Sequence, residues 1–317
     1  MWRMENSKKL KTPNHYLSTD NKMNNQKPSI RIYIAALIAV ILWGFSFVWS
    51  NQIIRLQVPI FTFLFIRLFI AGIVLLIYSK AIGKLQKPSK KDLLMMALMA
   101  FFEPFVYFIG ESFGMQATDS AVIAAVIIAI IPVTCLLVER ILYKIPFTFK
   151  KIAGILITIP GVALMALNGG NITVKHLYGI ALLFLAVAAA TGYGAVVKKL
   201  SQKYNNYTIA TYQFVIGSLY FLPLFLGYGL DGINHTFFTA DVLVPLISLA
   251  ILCSCIAFVL WVSAIRNLGI ARANIFSALI PAFSAIGAVI LGHENITLVS
   301  VSGMAIVIFG VILAQRD

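Results

Sequence analysis

The sequence predicts an all-α integral membrane protein of ten transmembrane helices. Residue matches between the halves, given below, arrange the helices as two inverted five-helix repeats. Three observations carry that prediction. The first is composition: of 317 residues, 60% are apolar and 11% charged, where a soluble domain carries about 25% charged residues. The second is segmentation, because the apolar residues gather into runs of about 20, the length that spans a bilayer. The third is charge placement. Of 25 Lys and Arg, 22 fall in the N-terminal tail, after the second, fourth, sixth and eighth runs, or at the C-terminus. Only Arg55 and Lys175 fall on the opposite side, and Arg67 lies within a run. That asymmetry places both termini in the cytoplasm. It also explains the net charge of +14 without a nucleic-acid partner, since the charges sit in short loops.

Residues 1–30 are polar and aperiodic, which predicts a disordered cytoplasmic tail. They do not read as a signal peptide, because no small-residue cleavage site follows the first apolar run. The spans are expected near 32–51, 60–79, 93–115, 120–141, 149–167, 177–198, 207–227, 241–263, 271–291 and 297–314. Short connections make neighbours antiparallel. The first repeat is expected over 31–168 and the second over 177–315. Their kinship shows in ordered matches. A shift of 149 residues superposes Pro132 on Pro281, Gly154 on Gly303 and Gly161 on Gly310. A shift of 148 superposes Trp43-Gly44-Phe45-Ser46 on Thr191-Gly192-Tyr193-Gly194. Five spans is an odd number, so the halves insert upside down relative to each other. Inverted repeats with a site at their midplane interface are a transporter architecture. Pro104, Pro132 and Pro281 are the expected kink positions.

The candidate site centres on the third span. Two acids, Glu103 and Glu111, sit in an apolar run, and ionisable groups at membrane depth face a cavity or a bundle interior. At about 100° per residue, Glu103, Tyr107, Gly110 and Gly114 share one stripe, with Glu111 about 80° away. Glu103 lies about 16 Å from the inner edge of a core about 30 Å thick, near its midplane. There a carboxyl group can carry a proton between the two sides, or pair with a cationic solute. The bland alternative is an acid pair that ties helices together. Arg67 lies about 9 Å deep from the outer side and Glu111 about 6 Å, so an Arg67–Glu111 structural ion pair is one reading. Snorkelling of Arg67 to the outer interface is the other. Trp43, Tyr193 and Trp261 fit either the cavity wall or lipid-facing packing. Asn274 and Ser277 share a helical face and fit solute binding or interhelical bonding. Glu139-Arg140 reads as interfacial.

Cys135, Cys253 and Cys255 lie in apolar spans without disulfide or metal spacing. His176, His235 and His293 fall at outer loops, again without metal spacing. Asn171-Ile172-Thr173, Asn234-His235-Thr236 and Asn295-Ile296-Thr297 match the glycosylation pattern, which is short and often accidental. No glycine loop with a phosphate-binding lysine occurs, so neither direct ATP drive nor a cofactor is expected. Nothing signals an oligomeric state.

Several segments together resemble a known family. They are Leu42-Trp43-Gly44-Phe45-Ser46-Phe47, Arg67, Ile256-Ala257-Phe258-Val259-Leu260-Trp261 and Ala264-Ile265-Arg266-Asn267-Leu268-Gly269-Ile270-Ala271-Arg272-Ala273. Pro281, Gly292-His293-Glu294, Gly303 and Gly310 complete the pattern. The chain resembles the drug/metabolite transporter superfamily, and within it the EamA-like permeases, over about residues 30–315. The resemblance implies a cavity lined by helices 1, 3, 4, 6, 8 and 9, and export of amino acids, metabolites or drugs. Two departures stand out. The Gly-Glu pair before the last helix of each half is loose in the second, where Glu294 suits a cap or interfacial role. It is replaced by Lys144-Ile145 in the first. The Glu103/Glu111 pair stands where many members are apolar.

The expected function is secondary active transport, in the export direction, of a small polar or amphipathic metabolite such as an amino acid, amine or drug. Protons are the candidate coupling ion, and a bacterial inner membrane the expected location. The competing reading is a membrane-embedded enzyme acting on a lipid-linked substrate, with Glu103 and Glu111 as acid and base. No nucleophile, metal or anion-binding cluster accompanies them, so the chain is not expected to be an enzyme.

Overall fold

The computed structural model describes residues 29–136, 148–167, 174–291 and 297–314. All regular structure in these residues is helical. The tail over 1–28, Glu139-Arg140, Lys144-Ile145, Asn171-Ile172-Thr173, Gly292-His293-Glu294 and Asn295 lie outside the described residues.

The first half holds α1 (Ile30–Arg55), α2 (Ile60–Ala81), α3 (Lys90–Thr118), α4 (Ala121–Leu136) and α5 (Phe149–Leu167). The second holds α6 (Val174–Ser201), α7 (Asn206–Tyr228), α8 (Ala240–Leu268), α9 (Ile270–Ser277, then Ile280–Ile290) and α10 (Leu298–Ala314). Seven of these helices are long and apolar enough to cross a membrane. Their starts follow capping chemistry. The side chains of Ser29, Ser89, Ser120 and Asn205 accept from backbone N–H groups of the first turns of α1, α3, α4 and α7, groups that the helix itself leaves unpaired. The outer surface displays Ile77, Leu94, Leu156 and Phe309 to the surroundings, as a lipid-facing wall requires.

The two halves repeat in structure as well as in sequence. The tight α3–α4 turn places Asp119 at φ 50°, and the α8–α9 turn places Gly269 at φ 81°. Both α3 and α8 depart from the regular α-helix at corresponding places, α3 by a kink within Phe101–Val106, where Glu103 leaves helical φ/ψ, and α8 by a π-helical stretch at Leu249–Ile256. Helices α4 and α9 each break into a turn, at Ala129-Ile130 and Ala278-Leu279, just ahead of Pro132 and Pro281. Of the three prolines expected at kinks, Pro104 lies within the irregular stretch of α3, while Pro132 and Pro281 lie in the helical residues that follow these turns.

Packing obeys the same two-fold relation. The α3–α6 contact in one half matches α8–α1 in the other, and α2–α7, α4–α9 and α5–α10 each pair a helix with its own repeat. Small residues make the closest seams. A Cβ on Gly154 would collide with the backbone of Gly310 and Ala314, and one on Gly161 with the Gly303 carbonyl. Helices α5 and α10 therefore run antiparallel and backbone to backbone, a packing that small residues permit in membranes.

Candidate functional site

The site begins where α3 loses its regularity. Glu103 adopts φ −144° and ψ 115°, outside helical space, and Pro104 follows without an N–H donor. Pro104 is wedged against Gly217 of α7, where a Cβ would strike its ring. The break turns the Glu103 carboxyl group into the bundle. It also overturns part of the expected stripe. Tyr107 and Glu111 do face the interior beside Glu103, but Gly110 and Gly114 pack against Leu182, Leu183 and Ala186 of α6. Tyr107 to Thr118 is regular helix, so the break at Glu103 removes only the fixed angle that related Glu103 to Gly110 and Gly114.

The interior holds a cavity. Residues from α1, α3, α4, α6, α8 and α9 line it, the six helices that the resemblance implies, and Arg67 of α2 joins them. Trp43, Glu103, Tyr107, Glu111, Tyr193, Trp261, Asn274 and Ser277 all reach it. The lining runs from Arg67 and Glu111 towards Gly194, Cys135 and Ile270, near the Lys/Arg-rich face. At the opposite face, Arg55 pairs with Asp119 at 3.2 Å and Gln52 donates to the Asp241 carbonyl at 3.0 Å. These bonds tie the end of α1 to the α3–α4 turn and to α8.

One wall is aromatic. Trp43 meets Phe258 and Trp261 edge to face, each at a centroid distance of 5.0 Å. Its indole N–H donates to the Cys253 carbonyl at 3.2 Å, within the π-helical stretch of α8, where carbonyls leave the regular ladder. Tyr193 donates to Gln213 Oε1 at 3.2 Å and packs against Phe258. Near the other end, Asn274 donates to Cys135 Sγ at 3.4 Å, and the Ser277 hydroxyl is turned back onto its own helix at the Asn274 carbonyl.

The ionisable groups form the other wall. The Tyr107 hydroxyl donates to Glu111 Oε1 at 3.1 Å. Glu103 is 7% exposed, and among the described residues no group hydrogen-bonds its carboxylate. Arg67 is 2% exposed, donates from Nε to Ser254 Oγ at 2.9 Å and lies over the Phe108 ring at 4.3 Å. Both expectations for Arg67 are corrected here. Among the described residues no carboxylate oxygen comes within ion-pair distance of it, so it does not bridge to Glu111, and its burial rules out snorkelling. The serine that holds it lies 187 residues away in sequence, on the irregular part of α8, where a position read from the span edge has no purchase. No group of three or more potential metal ligands exists among the described residues.

The EamA-like transporter family model matches residues 30–167 and 177–315. The chain belongs to the EamA-like transporter family. An uncharacterized transporter of Archaeoglobus fulgidus is 27% identical over 287 residues, 90% of this chain and 98% of its own. A probable terminal-alkyne amino-acid exporter of Streptantibioticus cattleyicolor is 29% identical over 79% of this chain and 82% of its own. An uncharacterized transporter of Bacillus subtilis is 24% identical over 90% of this chain. A crystal structure 14% identical superposes with a TM-score of 0.66, over 90% of this chain and 96% of that one. That likeness shows the fold alone.

This EamA-like chain is therefore a multi-pass membrane transporter of small molecules, which sets aside the membrane-enzyme reading. Sequence reasoning missed Phe258, Gln213 and the cavity-facing role of Arg67. Phe258 was legible as the residue one helical turn before Trp261, and Gln213 as a lone amide inside an apolar span.

Proposed function

We propose that this EamA-like protein is a secondary active exporter of a small amphipathic solute bearing a cationic group, such as an amino acid, amine or drug, with protons as coupling ion. Glu103 is its recognition and coupling acid. The observation that carries the reading is the Glu103 carboxylate, buried at the cavity without a hydrogen-bond partner among the described residues. A buried charge left unpaired is costly, so a solute cation or a proton completes it. Tyr107 and Glu111, already bonded to each other, offer a second carboxyl group beside it. Trp43, Tyr193 and Trp261 supply an apolar face for the body of the solute, and a cation over such rings gains further attraction. Asn274 and Ser277 lie along the path. The membrane is a bacterial cytoplasmic membrane, and the termini are cytoplasmic, an orientation supported by the 22-to-2 distribution of Lys and Arg.

Purified protein in liposomes tests this reading. A preloaded solute should accelerate uptake of its labelled copy, with the copy recovered chemically unchanged and an imposed pH gradient altering its steady level. Recovery of a changed solute, or no exchange of any amine, amino acid or drug, would overturn it.

A further inference from the structure

We infer that Arg67 reads the anionic group of the solute, so that the cavity is built for a zwitterion, with its carboxylate at Arg67 and its ammonium at Glu103. This rests on the transport reading above and narrows its substrate. A guanidinium carries five N–H donors. The bond from Nε to Ser254 Oγ is the one protein hydrogen bond the described residues give it. Among the described residues the four donors on the two terminal nitrogens therefore meet no protein acceptor, although the residue is 2% exposed and lines the cavity. A buried guanidinium without an anion is costly, and its planar fork matches a carboxylate held by two parallel bonds.

The bland role for a buried arginine is to bind a carboxylate of its own protein. Glu103 and Glu111 line the same cavity, yet neither pairs with it; Glu111 takes its bond from Tyr107 instead. Ser254 and the Phe108 ring fix the guanidinium in place, so it is held ready rather than collapsed onto an acid. Its helix, α2, is also not among the six that the family resemblance assigns to the cavity. An unpaired cation and an unpaired carboxylate on one cavity, beside an aromatic wall, describe the outline of an amino acid with an apolar side chain.

Calorimetric binding to the purified full chain tests this with six probes. L-leucine and L-phenylalanine carry both charges, isoamylamine and phenethylamine lack the carboxylate, and 4-methylpentanoate and 3-phenylpropionate lack the amine. The wild type should bind each amino acid at least about tenfold more tightly than its amine, the scale of losing one buried charge pair. Arg67→Gln should erase that preference while leaving amine affinity in place. Ser254→Ala, which removes only the anchor of the guanidinium, should weaken the amino acids several-fold and spare the amines, with Ser254→Thr restoring the difference. This second variant decides the matter if Arg67→Gln does not fold.

Amines bound as tightly as amino acids by the wild type, or a preference that survives Arg67→Gln, would overturn the inference. So would equal losses for amine and amino acid in Ser254→Ala. If none of the six binds while some other solute exchanges in liposomes, the zwitterion site is wrong and the transport reading stands. If no solute exchanges at all, both fail.

Discussion

The Tyr107 hydroxyl points its proton at Glu111 Oε1 across 3.1 Å, one turn away on the same helix. That bond gives Glu111 a partner, and among the described residues Glu103, on the broken turn before Tyr107, has no hydrogen-bond partner. Two acids of the same helix thus enter the cavity in different surroundings. Tyr107→Phe removes the donor and changes little else. It should leave the protein folded, with a change in melting temperature of at most a few degrees, and should alter solute affinity and the pH profile of exchange. A variant with wild-type affinity and profile would show that the phenol has no part in the site.

Glu103→Gln keeps the shape and removes the charge. Exchange driven by a pH gradient should be abolished while insertion and folding persist. Stability should hold or rise, because an unpartnered buried carboxylate is lost. Normal pH-dependent exchange would show that Glu103 is neither coupling group nor counter-ion, and failure to fold would assign it a structural role.

The seam between α5 and α10 predicts a stability effect far from the cavity. A Cβ at Gly154 would meet the backbone of Ala314 and Gly310, which cannot yield as a flexible side chain can. Gly154→Val should lower stability by about 1–3 kcal/mol, the usual cost of overpacking, measured as loss of thermal resistance in detergent. Gly227→Val, where no atom lies within 4 Å of the added carbon, is the control and should change stability far less.

At the Lys/Arg-rich face, Lys203 Nζ donates to Asp92 Oδ1 at 2.9 Å, with Tyr204 and Ser89 on the other oxygen at 3.0 and 2.8 Å. The hydrogen bond to Asp92 raises the pKa of Lys203 above its ordinary 10.5. A raised basic group contributes stability fully below its unfolded value and loses it as pH rises through the folded one. The melting temperature of the wild type should therefore exceed that of Asp92→Asn at neutral pH, and the gap should narrow above pH 10.5. A gap independent of pH would place the effect of Asp92 in its bonds to Ser89 and Tyr204 alone.

Orientation is open to direct measurement. In a cysteine-free background, His235→Cys should react with an impermeant thiol reagent from outside intact cells, and Lys87→Cys only after the membrane is opened. Both positions are exposed in the fold. The reverse pattern would invert the topology and undercut the export direction.

The sequence by itself determined the number and spacing of the spans, the antiparallel order of neighbours and the relation between the halves. Hydrophobic length, charge placement and glycine–proline positions are local properties, and a bilayer converts local hydrophobicity into structure with few alternatives. It also singled out Glu103, Glu111 and Arg67, because an ionisable residue in an apolar run stands out wherever its helix ends up. Tertiary structure alone decided what each of them touches. Helical periodicity aligned Glu103 with Gly110 and Gly114, and the non-helical turn at Glu103 broke that alignment. Depth counting offered Glu111 to Arg67, and folding delivered Ser254. Trp43 likewise found the Cys253 carbonyl, 210 residues away, on a turn of α8 that no hydropathy pattern marks. The physical reason is that burial in a membrane is set residue by residue, whereas partners are set by how irregular turns rotate helices against one another.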